Sequence, residues 1–374
     1  MISLSSEYIV TDKRIPIDDL EHVLSATASI WEEVRGRRLF LTGGTGFFGC
    51  WLVESFCHVN RVLELNAQAT LLSRDPARFA ERCPHLAADP AITLLAGDVR
   101  NFAFPEGEFH YVLHAATDSS LKRPREEPLE MLATILGGTE RTLEFASRCG
   151  ARKFLLTSSG AVYGRQPAEI THLPESYLGA PDSLDAANVY AEGKRASELM
   201  CAVYQKAQSI ASEIGKVADG ILECKIARCW AFCGPHLPLD AHFAVGNFIG
   251  DVLSGRPIVI SGDGTPRRSY LYGADLAIWL WTILFRAPAL VPINVGSERD
   301  ISIRELAALV AATLNPTSEI RMSQQAVAGA PASRYVPSVQ RAREMLGLRE
   351  LVALEDAIRR TAAWSKHSTA KLGV

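Results

Sequence analysis

Apolar residues recur at helical spacing over residues 18–35, "DDLEHVLSATASIWEEVR", where Leu20, Val23, Leu24, Ile30, Trp31 and Val34 mark one face. Acids near the start and Gly36 after the end complete the signature of an amphipathic helix. The pattern then shortens. "RRLFL" (37–41), "ATLLSR" (69–74), "ITLLAGDV" (92–99), "FHYVLHAAT" (109–117) and "KFLLTSS" (153–159) are compact apolar runs that fit buried strands. Between them, "CWLVESFCHV", "DPARFAERC" and "LEMLATILGGTERTLEFASRC" read as helices. The second has Asp75 as N-cap and Pro76 at the first helical position. Gly137 and Gly138 weaken the third. Strands alternating with helices predict an α/β fold, a Rossmann-like doubly wound parallel sheet.

After about residue 235 the rhythm changes. "HFAVGNFIGDVLSG" and "SIRELAALVAATL" read as helices, "PIVISGDG" as a strand and turn, and "LEDAIRRTAAWSK" as a last amphipathic helix. No repeat or low-complexity linker separates the two parts. A second, smaller lobe interleaved with the first is therefore expected.

Composition narrows the function classes. The chain has 374 residues, 48% apolar and 22% charged, which is ordinary for a globular protein and long for one core. A net charge of -3 gives no global attraction to nucleic acid or an acidic membrane, so neither partner is expected. A local basic pocket for a phosphate stays open. The first residues, "MISLSSEYIVTDKR", lack a basic region followed by an apolar run, and "LAIWLWTILF" (276–285) is too short to span a bilayer. A cytoplasmic location is the expectation. The eight cysteines are scattered, with Cys229 and Cys233 closest, and no spacing completes a zinc site. Free thiols and no metal are expected.

"TGGTGFFG" puts Gly43, Gly46 and Gly49 between a strand and a helix. Glycine permits the tight turn and lets backbone N–H groups approach a pyrophosphate, which the helix N-terminus favours. A plain strand–helix turn would look the same. Asp98 ends the third run, as an acceptor for an adenine amino group or as a turn aspartate. "HAAT" (114–117) ends the fourth with residues small enough for a cofactor or for close helix packing. The second run ends in Ser73–Arg74, which favours NADP(H) over NAD(H), because arginine suits the 2′-phosphate. A solvated Arg74 with Asp75 turned inward is the opposite reading.

"NVYAEGK" (188–194) sets Tyr190 four residues before Lys194 in a stretch that can be helical, so the two side chains share a face. A neighbouring ammonium is expected to pull the phenol below its usual value near 10 and fit it for proton exchange with a hydroxyl. Ser159 ends the fifth run and could orient that hydroxyl.

Together "TGGTGFFG", "GDV", "HAAT", "LLTSSGAVYG", "VYAEGK" and "SGDGTPRRSYLYGADLA" resemble the extended short-chain dehydrogenase/reductase family, in its NAD(P)-dependent nucleotide-sugar epimerase/dehydratase branch, from about residue 37 to the C-terminal helix. The resemblance implies a helical extension at 1–36, a mainly dinucleotide-binding lobe at 37–235, and a mainly nucleotide-sugar-binding lobe at 236–374. It implies Tyr190 as acid/base, Lys194 as its tuner and ribose ligand, and Ser159 as third member. Cofactor contacts carry over to Gly43, Gly46, Phe47, Phe48, Gly49, Arg74, Asp98, Val99, Ala115, Ala116, Thr117, Tyr190 and Lys194. Substrate contacts carry over to Ser158, Ser159, Asn247, Arg268 and Arg334, with Arg268 the main ligand of the diphosphate. A homodimer is implied too.

Two departures bear on the reaction. Family dehydratases carry Asp–Glu after the triad serine or threonine; here Gly160 and Ala161 stand there. Ala231 replaces an asparagine that commonly touches substrate. The implied activity is hydride and proton transfer at C4 of a nucleotide-diphosphate sugar, as a 4-epimerase or a 4-ketoreductase. Dehydration or decarboxylation, and a non-catalytic NADP(H)-binding sensor or scaffold, are the alternatives.

Overall fold

The computed structural model describes residues 13–117, 127–213, 221–241, 243–327, 329 and 331–369. Its centre is a seven-stranded parallel sheet. The five expected strands are β1 (Arg38–Thr42), β2 (Gln68–Ser73), β3 (Ile92–Ala96), β4 (Tyr111–His114) and β5 (Lys153–Ser159). Two more complete it, β6 (Glu223–Cys229) and, after four short strands β7 (Phe232–Cys233), β8 (Ile258–Ile260), β9 (Arg267–Arg268) and β10 (Leu271–Tyr272), the edge strand β11 (Pro292–Val295). The order is β11-β6-β5-β4-β1-β2-β3. Both added strands lack a clean apolar signal. β6 buries Lys225, whose ammonium donates to the Ala287 carbonyl at 2.6 Å, and β11 is four residues beginning with proline.

The order reverses beside β1, with β2 on one flank and β4 on the other. Such a switch point opens a crevice at the strands' C-terminal ends. β3 and β4 stop at Ala96 and His114, short of the predicted 99 and 117. The residues beyond them become crevice loops.

Helices cover both faces. α1 (Ile17–Thr27), α2 (Phe47–Val62), α3 (Pro76–Arg82), α4 (Pro84–Ala87), α5 (Pro128–Arg148) and α6 (Val189–Glu213) come first. α7 (Ala244–Leu253), α8 (Gly273–Arg286), α9 (Ile303–Leu314), α10 (Gln340–Leu346) and α11 (Leu354–Thr369) follow. On one face an aromatic cluster forms around Phe40, 4.5 Å from Phe145 and 5.3 Å from Phe102 between ring centroids. On the other, α2 and α8 pack together, and residues 13–36 lie over them. The predicted helix over 18–35 is α1 followed by a 3₁₀ stretch, Ala28–Val34. Trp31 turns into the core, 4.9 Å from Trp281, and donates to Thr27 Oγ1 at 2.8 Å. Asp19 accepts from the buried Tyr272 hydroxyl at 2.6 Å. The extension is thus part of the main core.

The remaining small strands are β12 (Ile301–Ser302), β13 (Ile320–Met322) and β14 (Arg334–Tyr335). β9 lies between β12 and β14, and β13 pairs with β8. α9 opens with a full capping box between Ser302 and Glu305. No helix among the described residues is long and apolar enough to cross a membrane.

Candidate active site

The crevice is a cleft of about 430 Å³. Gly43, Thr45 and Gly46 form its floor; Ser73 and Arg74, then Asp98 and Val99, then Ala115, Ala116 and Thr117 line it from successive strand ends. Pro238, Ala241 and Phe243 close the far side.

The three glycines differ in what requires them. Gly43 has φ +71°, and a Cβ there would lie 2.5 Å from the Ala115 carbonyl carbon. A Cβ on Gly49 would lie 2.3 Å from the Gly43 oxygen. Both serve the chain's own close approach. Gly46 is exposed, and a Cβ there would meet nothing closer than 3.5 Å. Its bareness keeps the cleft floor open rather than relieving the fold. α2 has no side-chain cap, so its first-turn N–H groups, those of Phe47, Phe48 and Gly49, lack helical partners. The loop is an anion cradle in the sense of a helix N-terminus. Thr117 adds a buried hydroxyl without a hydrogen-bond partner on the same cleft. An unsatisfied polar atom and an unfilled glycine position both fit a dinucleotide.

Arg74 stands exposed at the rim and forms no ion pair among the described residues. Asp75 does not turn inward: its carboxylate caps α3 by accepting from the Arg78 N–H at 3.0 Å. Asp98 is held by Arg100 through Nε (2.8 Å), a second guanidinium nitrogen (2.9 Å) and the backbone N–H (2.9 Å). The hydrogen bonds from Arg100 keep its carboxyl below the usual range.

Under the floor, His114 accepts or donates at 2.8 Å to Thr42 Oγ1 and at 3.2 Å to Thr139, which meets Ser197 of α6 at 2.8 Å. Burial, and then the charge of Lys194, lower the His114 pKa to about 3, so the ring is neutral at pH 7. This network ties the glycine-loop strand to the helix bearing Tyr190 and Lys194.

α6 follows a 3₁₀ turn, Ala186–Asn188, capped by Asp185, and Tyr190 lies in its first turn. Lys194 Nζ is 6.0 Å from the Tyr190 ring centroid and donates to the Thr157 carbonyl at 2.9 Å. Ser159 ends β5 and accepts from the Ala161 N–H at 3.1 Å. These three residues share one neighbourhood beside the cleft. The electrostatics differ from the sequence expectation. Burial raises Tyr190 to about 12, and only the Ser159 hydroxyl opposes it. Burial also lowers Lys194 to about 8. Desolvation, which penalises any charged form, dominates both shifts.

Sequence reasoning missed an aromatic wall beside Ser159. The Tyr335 ring on β14 lies against that of Trp230, centroids 4.3 Å apart and tilted by 42°, and the nearby Ser159 hydroxyl opposes the rise that burial causes in its phenol. A Cβ on Gly160 would fall 2.7 Å from the Trp230 ring and 2.8 Å from the Tyr335 oxygen. Two aromatic side chains therefore occupy the space an acid at 160 would need. β14 runs parallel to β9 with Tyr335 opposite Arg268 and Arg334 opposite Arg267. The Arg268 guanidinium lies 6.0 Å from the Tyr335 centroid and has no carboxylate partner among the described residues. Arg334 is bonded to Asp300, which also accepts from Arg267 at 2.6 Å. Ser158 donates to Glu198 at 2.5 Å, and Glu198 holds Arg228. Asn247 is half-buried on α7, and no described contact joins it to Tyr190 or Ser159. Of the five residues assigned to substrate, Ser159 and Arg268 thus converge on one wall through Tyr335. The signal for Tyr335 in the sequence is only its adjacency to Arg334.

The model of the NAD dependent epimerase/dehydratase family matches residues 39–296. The chain belongs to that family. Among curated relatives, UDP-glucuronic acid decarboxylase 1 of Arabidopsis thaliana is 28% identical over 323 residues, covering 86% of this chain and 68% of its own. UDP-glucuronic acid decarboxylase 5 of the same plant is 29% identical over 321 residues, covering 86% and 87%. The fold matches UDP-glucose 4-epimerase with UDP-glucose from Thermotoga maritima, with TM-score 0.69, 19% identity, and 89% and 99% coverage. It also matches DesIV, dTDP-glucose 4,6-dehydratase from Streptomyces venezuelae with NAD, with TM-score 0.72, 22% identity, and 89% and 98% coverage. The family match contains the glycine loop, Ser159, Tyr190, Lys194 and Arg268. Tyr335 and Arg334 lie beyond it.

Proposed function

We propose that this family member moves hydride and a proton at C4 of a nucleotide-diphosphate sugar, with Tyr190 as acid/base. The observation that carries the reading is the grouping of Tyr190, Lys194 and Ser159 beside a cleft floored by Gly46. The bound nicotinamide supplies or accepts the hydride. Tyr190 exchanges the C4 hydroxyl proton. Ser159 hydrogen-bonds that hydroxyl and favours the phenolate. Lys194 holds the phenol's neighbourhood positive when protonated and contacts the nicotinamide ribose. Arg268, lacking a carboxylate, takes the diphosphate through its planar fork. Arg74 takes a 2′-phosphate, so NADP(H) is preferred; the capping role of Asp75 supports this, since its carboxylate accepts from the Arg78 N–H and Asp75 is not among the residues that line the cleft.

The chain divides as 37–235, mainly for the dinucleotide, and 236–374, mainly for the sugar nucleotide and interleaved with the first. The exposed apolar residues Leu199, Val203 and Ile210 on α6 support a homodimer.

Gly160 and Ala161 disfavour dehydration, which needs an acid and a base near C5 and C6. Epimerisation or ketoreduction remains. A second reading is favoured by the decarboxylase relatives: a uronic acid oxidised at C4 is a β-keto acid, whose own ketone accepts the electrons as CO₂ leaves. The glutamate that the resemblance implies for such decarboxylases at the second of these positions is Ala161 here, which counts against this reading.

The test is turnover of UDP- and dTDP-linked hexoses, their 4-keto forms and UDP-glucuronic acid, with cofactor, by wild type and Tyr190→Phe. General acid–base catalysis contributes roughly 10²–10⁴-fold, so Tyr190→Phe should lose about that much while still binding cofactor. CO₂ release, an epimer, or consumption of NADPH distinguishes the reactions. Full activity in Tyr190→Phe would refute the role of the phenol.

A further inference from the structure

Behind the glycine loop, away from Tyr190, three potential metal ligands meet. Cys50, Cys83 and His236 each offer a ligand atom, all within 4.8 Å of one another. We propose that they form a zinc-type metal site that staples the outer wall of the dinucleotide cleft.

Two thiols and an imidazole are the donor set zinc prefers, and tetrahedral Zn–S and Zn–N bonds of about 2.3 and 2.0 Å place ligand atoms roughly 3.5–3.8 Å apart. The cluster therefore needs to contract by at most about 1.3 Å on binding. Cys50 and Cys83 are both fully buried. His236 is nearly so, with 5% of its side chain exposed.

The surroundings resemble a ligand support more than an apolar core. His236 Nε2 lies 3.2 Å from Glu54 Oε1. A carboxylate on one imidazole nitrogen fixes the tautomer and ring orientation and leaves the other nitrogen, Nδ1, to ligate. Glu54 is itself buried and anchored, accepting from the Ile15 N–H at 2.7 Å. Trp364 packs on the His236 ring, centroids 4.7 Å apart. His85 stands beside the same carboxylate, with Nε2 3.3 Å from Glu54 Oε1, yet neither of its buried ring nitrogens has an aligned hydrogen-bond partner.

Charge is compatible. On binding, the two thiols release two protons to solvent, and two thiolates with a neutral imidazole balance a divalent cation. Arg82, whose guanidinium lies 3.8 Å from Cys50 Sγ and donates to the Thr45 carbonyl, then faces a neutral centre.

The placement gives the site its purpose. Cys50 lies in the first turn of α2, directly after the glycine loop. Cys83 joins α3 to α4, the segment following Arg74. His236 lies two residues before Pro238, which lines the cleft. One ion would thus tie three separate cleft-forming segments together. The competing outcome is a Cys50–Cys83 disulfide, which would consume the same sulfurs.

The experiment uses the full chain without an affinity tag, purified without chelator. Elemental analysis should find about one zinc per chain. After metal removal, Co²⁺ should bind at one equivalent with a strong near-ultraviolet thiolate charge-transfer band and visible bands of tetrahedral cobalt. Cys83→Ser and His236→Ala should abolish the spectrum, and zinc should raise the Tm of the wild type alone. If the variants do not fold, zinc protection of Cys50 and Cys83 from thiol labelling in the wild type decides. Lack of cobalt charge transfer, unprotected thiols, or recovery of a Cys50–Cys83 disulfide in the native protein would overturn the proposal. None of these readouts depends on turnover in the cleft.

Discussion

The glycine-loop wall of the cleft and the aromatic wall around Ser159 are assembled differently. On the glycine-loop wall the backbone approaches itself: Gly43 lies against Ala115, and Gly49 against Gly43 and Gly44. On the aromatic wall, side chains from Ser159, Trp230, Arg268 and Tyr335 converge across strands that are far apart in sequence. Close backbone approach demands glycine at fixed spacing within a few residues. Side-chain convergence demands only that distant strands pair in the right register. The first wall leaves a mark in the sequence, and the second leaves almost none.

Substitutions can break that contrast. The largest effect is expected for Gly49→Ala, whose Cβ would overlap backbone at 2.3 Å. Strain of this kind should cost several kcal/mol, on the order of total domain stability, and show as loss of cooperative thermal unfolding. Acid should weaken the same wall through His114. Its pKa is about 3 folded against 6.5 unperturbed, so between those values the unfolded chain binds a proton that the folded chain refuses. Stability should therefore fall as pH drops from 6.5 towards 3, by a few kcal/mol in all, read by denaturant titration across pH. His114→Gln should flatten that dependence.

Smaller effects separate binding from folding. Arg268→Ala should raise the KM for a nucleotide sugar roughly 10- to 100-fold, as expected for a charge-assisted contact worth about 1.5–3 kcal/mol. Arg334→Ala, which breaks the link to Asp300, should lower Tm and leave KM nearly unchanged. Gly46→Ala should keep the Tm and weaken dinucleotide affinity, measured by calorimetry. Equal loss of stability in Gly46→Ala and Gly49→Ala would end the distinction between a glycine that serves the fold and one that serves the cleft. Tyr335→Phe should change kcat by only about one hydrogen bond's worth, a few-fold, because it acts through Ser159.

Much of the fold was legible because buried parallel strands read as short apolar runs and helices as periodic ones. Asp75 as the cap of α3 and Ser302 at the start of α9 follow from local chemistry alone. β6 was hidden by Lys225 and Arg228, whose charges are answered by Ala287 and Glu198, partners no local pattern reveals. In the site, the spacing of Tyr190 and Lys194 was readable because one helical turn joins them. Their electrostatics were not, because burial is a property of the whole fold and here is the largest cause of both shifts. Arg334 drew attention by its type, while its neighbour Tyr335 reaches Ser159. The Cys50–Cys83–His236 cluster was invisible for the same reason as the aromatic wall: its members come from three segments.

The central claim is that Tyr190 exchanges the substrate proton while hydride moves at C4. It is tested most directly by rapid mixing of NAD(P)-loaded protein with a turned-over nucleotide sugar, following reduced-nicotinamide absorbance in wild type and Tyr190→Phe at matched cofactor occupancy. The expected result is a transient in the wild type that slows by roughly 10²-fold or more in the variant, with unchanged dinucleotide affinity. A transient of equal rate in both proteins would contradict it.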